Sequence, residues 1–308
     1  MTLPTTRKLS TVIRRLTLTL CLVLGFASAA LAEDYLFTIA HFGGYAHAHA
    51  YGLNNAGQVV GAVANVYPNE HAFVRSADGT SYTIIDVSGA DYTRAYGIDG
   101  SGQIVGDFFQ GRLHGFLRSA DGSTFTTIDV PGAISNDASG INNAGQIVGE
   151  FNDSTGRHGY LRDTDGSFTT IQVPGGGNTY SYGINDAGQI VGFFRAADGT
   201  YHGYLRDTDG SLTIFDVPGA LSTYGSGIND NGQIVGGFED SSHHSHSFVR
   251  SADGTFTNFD VPGFNYTYGS GINDNGQIAG WFFEDFDAAD RAHGFLATPI
   301  AAASSPLK

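Results

Sequence analysis

A pattern of about ten residues returns six times along this chain of 308 residues, and it constrains the fold more than any other feature. In its clearest form it reads GINDNGQIVG, over residues 227–236. The copies open at intervals of 43 to 45 residues, at Gly52, Gly97, Gly140, Gly183, Gly227 and Gly271. This period is typical of propeller blades and is too long for one turn of a β-helix.

Each repeat predicts four short strands separated by turns. In the fourth copy we place them at residues 179–184, 189–194, 202–206 and 211–217. The sequences NDAG and DTDG lie between them, and both are typical of tight turns. The chain beyond the N-terminal segment shows no helical period.

The two ends of the repeat array favour a closed ring over an open stack. Residues 35–42, YLFTIAHF, match the fourth strand of a repeat, and residues 293–298, HGFLAT, match the third. The last repeat therefore lacks an outer strand that the N-terminal segment supplies. We predict an all-β fold over residues 33–298, a six-bladed β-propeller of four-stranded blades, closed by pairing of the N-terminal strand with the C-terminal blade. Residues 299–308 are predicted to be a disordered tail.

The first 32 residues are predicted to be a secretory signal peptide. Four basic residues precede the apolar run of residues 16–26, and small residues at Ala30 and Ala32 suit a signal peptidase. The apolar run is too short to span a bilayer comfortably, so we expect no membrane span after cleavage. The sole cysteine, Cys21, lies in this segment. We therefore predict a secreted or periplasmic protein without disulfide bonds.

The charge balance excludes nucleic acid as a natural partner. The chain carries 30 acidic against 15 basic residues, a net charge of −15, and loss of the signal would make it more acidic still. A mutually repelling surface of this kind favours a soluble protein, and we expect a monomer.

The repeated Asx-Gly segment raises the alternatives of a calcium loop and a hairpin turn. A calcium loop needs six or more oxygen ligands, but the residues after the glycine contain no carboxylate. Asn, Asp and Gly tolerate the positive φ that a tight hairpin requires. We therefore predict hairpins, and we expect the opening glycines to lie on a crowded innermost strand.

A histidine begins the third strand of every repeat, which raises the possibility of a metal or catalytic ring. Hairpin register instead places most of these histidines opposite an aspartate of the fourth strand. The predicted pairs are His71 with Asp86, His114 with Asp129, His202 with Asp216 and His246 with Asp260; Gln172 lies opposite His158 and Ala40 opposite His293. Such pairs resemble the structural hydrogen bonds of WD-repeat propellers, and we interpret the histidines as structural.

The combination of GINxxGQIVG with HGF, or with HAF at residues 71–73, resembles the bacterial extracellular repeats called the HAF family. The resemblance covers essentially the whole chain after the signal segment. It implies export and a repeat architecture, but no defined activity.

Three clusters could form a site on the face where the linking segments differ between repeats. They are His41, His47 and His49; Glu239, Asp240, His243 and His244; and Trp281, Glu284, Asp285, Asp287 and Asp290. His41, His47 and His49 have a spacing that suits a transition metal, so a divalent metal is possible although we predict no cofactor. A sugar ring could stack on Trp281, Tyr266 and Tyr268 and bond to Glu284 and Asp285. Asp107 and Glu150, at the same position of neighbouring repeats, could form a catalytic carboxylate pair if their pKa values differed.

The sequence favours a non-catalytic propeller that binds an extracellular glycan or protein through this variable face. Two alternatives stay open: an exported hydrolase or lyase acting on a polysaccharide or another polymer, and a structural envelope protein. No nucleophile elbow, zinc-protease motif, phosphate loop or dinucleotide fingerprint is present.

Overall fold

A computed structural model describes residues 35–40, 45–66, 69–264, 266–283 and 291–300 of the chain. The predicted signal peptide and residues 301–308 lie outside these ranges. Within them the backbone forms 25 β-strands and no helix. In chain order the strands are β1 (Tyr35–Ala40), β2 (His47–Leu53), β3 (Val59–Ala64), β4 (Glu70–Arg75), β5 (Tyr82–Ile84), β6 (Tyr92–Ile98), β7 (Ile104–Gln110), β8 (Arg112–Arg118), β9 (Phe125–Ile128), β10 (Ser135–Asn136), β11 (Gly140–Ile141), β12 (Ile147–Asp153), β13 (Gly156–Arg162), β14 (Phe168–Ile171), β15 (Thr179–Ile184), β16 (Ile190–Arg195), β17 (Tyr201–Arg206), β18 (Leu212–Phe215), β19 (Ser222–Ile228), β20 (Ile234–Glu239), β21 (Ser245–Arg250), β22 (Phe256–Phe259), β23 (Tyr266–Ile272), β24 (Ile278–Phe283) and β25 (Ala292–Pro299).

The strands form antiparallel four-stranded sheets in a β-propeller-like arrangement, which confirms the predicted all-β class. Three separate sheets contain β2–β5, β6–β9 and β15–β18. In a five-stranded sheet, β10 and β11 together take the place of the first strand beside β12, β13 and β14. An eight-stranded sheet joins β19–β22 to β23–β25 and β1 through one parallel pairing, between Ser245 and Tyr266.

The N-terminal strand pairs with the C-terminal sheet, as predicted. β1 lies antiparallel to β25, with Tyr35 opposite Pro299 and Ala40 opposite Gly294. The side chain of Phe37 contacts Phe295 of β25, with ring centroids 5.5 Å apart. β25 runs to Pro299, one residue beyond the predicted boundary of the repeat region.

The hydrophobic core lies between consecutive repeats. One cluster packs Val60 and Ala72 of the first repeat against Ile104, Phe108 and Phe116 of the second. The same kind of packing joins the last repeat to the first, where Ala279 contacts a cluster of first-repeat residues. Each sheet is thus stabilised mainly by apolar area that it buries against its neighbours.

The opening glycines lie where the first strands crowd together, as expected. A Cβ atom on Gly52 would lie 2.2 Å from the carbonyl oxygen of Tyr96, and one on Gly140 would lie 2.5 Å from that of Tyr182. The contacts continue around the array until Gly271, whose added Cβ would lie 2.9 Å from the carbonyl oxygen of Tyr51 in the first repeat. No larger residue fits these positions without moving the backbone.

The Asx-Gly segments form hairpin turns, as predicted. In the first copy, the amide of Gly57 donates to the carbonyl of Asn54, and the amide of Asn54 donates to that of Gln58. Gly57 has φ 85°, a conformation that glycine adopts without strain. The side-chain oxygen of Asn54 also accepts a hydrogen bond from the amide of Gln58.

Five of the six predicted histidine partners are confirmed, and the prediction for His293 was wrong by one residue, because Ala40 lies opposite Gly294. The Nδ1 atom of the histidine lies 2.6 to 2.9 Å from the partner carboxylate in four pairs, His71 with Asp86, His114 with Asp129, His202 with Asp216 and His246 with Asp260. His158 bonds to Gln172 at 2.7 Å in the same way. The sequence did not indicate the second partner, a second-strand Phe such as Phe108, whose ring stacks on His114 at 5.1 Å.

Candidate functional site

A cavity of about 540 Å³ lies where the first strands of all the repeats converge. The residues directly before and directly after the opening glycine line the cavity in all six repeats, and the residue three places before the glycine does so in three of them. The lining includes Tyr51, Tyr96, Asp137, Ser139, Tyr182, Phe193, Tyr224, Ser226, Glu239, Ser245, Tyr268, Ser270 and Trp281.

A β-bulge explains why the residue before the opening glycine reaches the cavity. The register of β15 with β16 shifts between Ser181 and Gly183, which leaves Tyr182 without an opposite residue. The same shift occurs around Tyr51 in β2 and Tyr96 in β6. A bulged residue is re-aimed relative to its strand, and here it lines the cavity.

One side of the cavity is an aromatic wall, formed by Tyr182, Phe193, Tyr224, Tyr268 and Trp281 of the last three repeats. Trp281 stacks on Tyr268, with ring centroids 4.1 Å apart. Phe193 stacks on Tyr182 at 5.4 Å and meets Tyr224 edge-on at 5.0 Å. These cross-strand stacks hold broad apolar faces beside the cavity.

A charged cluster lies behind the lining of the first three repeats, and of its members only Asp137 is part of the cavity lining; the others are Glu70, Arg94, Asp107, Glu150 and Arg157. Arg94 donates two hydrogen bonds to Asp107, at 3.0 and 2.8 Å, and its Nη1 atom lies 3.7 Å from Glu70. Tyr96, in the cavity wall, donates to the same carboxylate at 3.2 Å. Burial raises the pKa of Asp107 to about 7 even though Arg94 favours the charged form.

Asp137 and Glu150 form the part of this cluster nearest the third repeat. Asp137 lines the cavity and accepts hydrogen bonds from the amide of Glu150 and the hydroxyl of Ser139, both at 3.0 Å. Arg157 donates to Glu150 at 2.6 Å. Burial, followed by the charge of Asp137, raises the pKa of Glu150 to about 9. Burial also raises the pKa of Asp137.

The structure separates the predicted carboxylate pair from the cavity surface. Asp107, at 1% exposure, and Glu150, at 7%, do not line the cavity, and each is bound by its own arginine. Asp137 raises the pKa of both and does reach the cavity. Sequence reasoning missed Asp137 because the third repeat is the one copy whose first strand is broken, into β10 and β11.

Two residues of the predicted aromatic group lie together in the cavity lining, and a third lies apart from it. Trp281 and Tyr268 stack on each other in the aromatic wall. Tyr266 lies apart from the cavity lining, opposite Phe283 and edge-on to His244 at 5.9 Å. Glu284 and Asp285 lie outside the described residues.

His49 is buried against two aromatic side chains of the cavity lining. Only 8% exposed, it stacks on Tyr51 at 5.5 Å and meets Trp281 edge-on at 5.0 Å. Burial lowers its pKa to about 3, so its imidazole is neutral at physiological pH. Burial, with the charge of Arg291, also lowers the pKa of His47.

His41 lies outside the described ranges. Within those ranges, no group of three or more His, Cys, Asp or Glu side chains is placed to hold a metal ion. The described part of the chain also contains no helix of the length and apolarity needed to cross a membrane.

The fold and the cavity define a β-propeller-like protein with a cavity at the convergence of its sheets. No protein-family profile matches the sequence. No curated protein matches it either.

Solved structures show the same fold at low sequence identity. TolB from Acinetobacter baumannii has a TM-score of 0.57 at 14% identity; the match covers 84% of this chain and 65% of the TolB chain. Virginiamycin B lyase from Staphylococcus aureus has a TM-score of 0.54 at 11% identity, covering 87% of this chain and 100% of the lyase. Both relatives are propellers. At such identities the likeness establishes the fold alone.

Proposed function

We propose that this protein is a secreted, non-catalytic β-propeller that binds an extracellular glycan in the cavity between its sheets. The observation that carries this proposal is a cavity of about 540 Å³ whose lining combines aromatic rings with carboxyl and hydroxyl groups. A cavity of this size, mainly apolar with a few convergent polar groups, is typical of a small-ligand site.

The lining of the cavity contains partners for both kinds of surface on a sugar. Trp281 and Tyr268 offer the flat rings on which the C–H face of a pyranose stacks. Asp137, Glu239 and Ser245 offer acceptors and a donor for hydroxyl groups. A site of this design would bind a sugar without catalysing a reaction on it.

We infer that the propeller has six blades. The crowded contacts of the opening glycines support this count, since each copy meets the next and the last meets the first. The pairing of β1 with β25 supports it as well, because it completes a fourth strand for the last repeat.

Intrinsic fluorescence tests the glycan proposal directly, because Trp281 is the sole tryptophan and lies in the cavity wall. Titration with a panel of bacterial and plant oligosaccharides is expected to change the emission of Trp281 saturably. Trp281→Leu should abolish binding measured by calorimetry, since it removes the stacking platform.

Tyr82→Leu is the matched control, because Tyr82 is an exposed aromatic residue of the outer strand β5. It should bind the same oligosaccharide with unchanged affinity. The proposal fails if no oligosaccharide of the panel binds, or if Trp281→Leu binds as well as the parent protein.

A second candidate function is a hydrolase or lyase acting on a polysaccharide. The observation that favours it is the carboxyl pair of Asp137 and Glu150, because a raised pKa allows a carboxyl group to act as an acid near neutral pH. Incubation with a polysaccharide panel, followed by detection of reducing ends and of unsaturated products, tests it. Turnover that Glu150→Gln and Asp137→Asn both abolish would establish the enzyme over the binding protein.

A further inference from the structure

The charged cluster beside the cavity contains more carboxyl groups than guanidinium groups. Four carboxyl groups, those of Glu70, Asp107, Asp137 and Glu150, face only two guanidinium groups. Arg94 serves Asp107 and Glu70, and Arg157 serves Glu150. A further positive charge placed here would therefore be stabilised.

One carboxyl oxygen of Glu150 also lacks a hydrogen-bond donor within the described ranges. Its Oε1 atom accepts from Arg157, but its Oε2 atom is buried and has no hydrogen-bond partner among the described residues. Glu150 is 7% exposed, so this oxygen has lost its water as well. A buried oxygen without a donor favours the protonated form of Glu150, in keeping with its raised pKa.

Asp137 connects this cluster to the cavity. It is the one carboxylate of the cluster in the cavity wall, and its two described hydrogen bonds both go to its Oδ1 atom. A ligand in the cavity can therefore reach the Asp137 carboxylate, with Glu150 behind it.

The aromatic rings nearby already accept cations. The guanidinium of Arg94 lies 4.7 Å from the centre of the Tyr92 ring, and that of Arg157 lies 5.2 Å from the centre of the Tyr180 ring. Aromatic faces combined with a carboxylate are the features that recognise an ammonium group.

We propose that the saccharide bound in the cavity carries a free amine, whose ammonium group binds Asp137 while the sugar ring stacks on Trp281 and Tyr268. This inference rests on the proposed glycan-binding function and specifies its ligand as an amino sugar that is not acetylated. Glu150 acts as a positioning residue, since its carboxyl group, protonated near pH 6, lies behind Asp137 and leaves the negative charge of the pair on Asp137. An N-acetylated sugar cannot supply the charge, and a uronic acid would be repelled.

The test compares matched oligosaccharides at about pH 6, followed by the fluorescence of Trp281 and by calorimetry. The probes are β-1,4-linked tetramers of glucosamine, N-acetylglucosamine and glucose, with spermine as a cation without a sugar. The glucosamine tetramer is expected to bind at least about tenfold more tightly than the glucose tetramer. Spermine should bind no more tightly than the glucose tetramer.

Two shape-preserving variants locate the effect. Asp137→Asn should reduce the preference for the glucosamine tetramer to less than about threefold, whereas Glu150→Gln, which keeps an uncharged side chain behind Asp137, should preserve that preference. Asp165→Asn removes the same charge from an exposed turn and should leave the preference unchanged.

The outcomes separate the two proposals without depending on any variant. Equal affinity for the three tetramers, or tightest binding of the acetylated tetramer, would overturn the ammonium inference and leave glycan binding standing. Tight binding of spermine alone would overturn both, because the cavity would then be a site for polyamines. Absence of any binding would also overturn both.

Discussion

At the scale of single residues, the second glycine of each repeat is fixed by a close approach of backbone to backbone. In the fifth repeat, a Cβ atom on Gly236 would lie 2.0 Å from the carbonyl oxygen of Tyr224 and 2.9 Å from the ring of Phe248. Its neighbour Gly237 has no such constraint, because the nearest atom to its added Cβ lies at 3.5 Å. Steric crowding therefore requires glycine at position 236 but not at position 237.

Gly236→Ala is expected to lower the free energy of unfolding by about 2–4 kcal/mol, since the carbonyl and the aromatic ring must both move. Gly237→Ala, on the same strand β20, should change it by less than about 0.5 kcal/mol. Denaturant unfolding of both variants measures the difference. Equal losses in the two variants would contradict the steric explanation.

The protonation of Glu150 links stability to pH. Its pKa is about 9 in the folded protein, above the ordinary value of 4.5, so the folded state holds a proton that the unfolded state has released. Stability from this proton is fully present below pH 4.5 and is lost as pH rises towards 9. The groups that face Glu150 are Asp137, Asp107, Arg157 and the hydroxyls of Tyr180, Tyr182 and Tyr204.

We therefore expect the melting temperature to fall between about pH 7 and pH 9 more steeply in the parent protein than in Glu150→Gln. The limiting slope is about 1.4 kcal/mol per pH unit for one full proton. His49, whose pKa is lowered to about 3, titrates in the unfolded chain near 6.5 and so affects stability only at lower pH. Asp165→Asn serves as the control. Hydrogen bonds from Ser167 lower the pKa of Asp165, so Asp165 is fully charged between pH 7 and pH 9. Parallel curves for the parent and Glu150→Gln would show that Glu150 is ionised in the folded state.

At the scale of elements, the hairpin between the third and fourth strands carries a His–Asp pair whose position the sequence predicted by register alone. In the fourth repeat, His202 lies 2.9 Å from Asp216 and packs against Phe194, with ring centroids 5.6 Å apart. The pair is partly exposed, at 29% and 46%, so solvent weakens its electrostatic contribution.

A double-mutant cycle of His202→Ala and Asp216→Ala should give a coupling energy of about 0.5–1 kcal/mol, measured by denaturant unfolding. A cycle of His202→Ala with Thr213→Ala is the control, because Thr213 lies opposite Leu205 on the same strand pair. It should be additive within about 0.3–0.5 kcal/mol. Additivity in both cycles would mean that the His–Asp contact adds nothing to stability.

The elements were predictable because turn chemistry and strand alternation are local properties. The first strand of the fourth repeat was placed at the observed residues, and the other three within two residues of them. The cavity wall was less predictable, since Tyr51, Tyr96 and Tyr182 reach it through a bulge that has no signature in the sequence beyond the glycine that follows. Trp281 and Tyr268 were identified because these positions vary between otherwise regular copies. The pairing of Arg94 with Asp107, and of Arg157 with Glu150, could not be assigned without coordinates.

At the scale of the whole molecule, asparagine side chains link consecutive repeats in a ring of hydrogen bonds. Each donates to a backbone carbonyl of the next repeat, at 3.0 to 3.2 Å, through Asn54, Asn142, Asn185, Asn229 and Asn273. The bond from Asn273 to the carbonyl of Asn54 joins the last repeat to the first. The second repeat has Asp99 at this position, and its side chain has no amide group to donate.

Asp99→Asn is expected to complete the ring by donating to the carbonyl of Asn142. Its Oδ1 atom would still accept from Ser101 and Gln103, so the turn should be unchanged. We expect a gain of about 0.5–1.5 kcal/mol, seen as a melting temperature a few degrees higher. The reciprocal change Asn142→Asp should lower it by a similar amount. A lower melting temperature for Asp99→Asn would show that the carboxylate is needed at this position.

Because β1 pairs with β25, the positions of the chain termini do not determine how the repeats are arranged in space. Tyr35 lies opposite Pro299, so a short turn between them would restore the hairpin found in the other repeats. A circularly permuted gene that encodes this turn and opens the chain within the exposed loop at residues 163–167 would specify the same contacts from new termini.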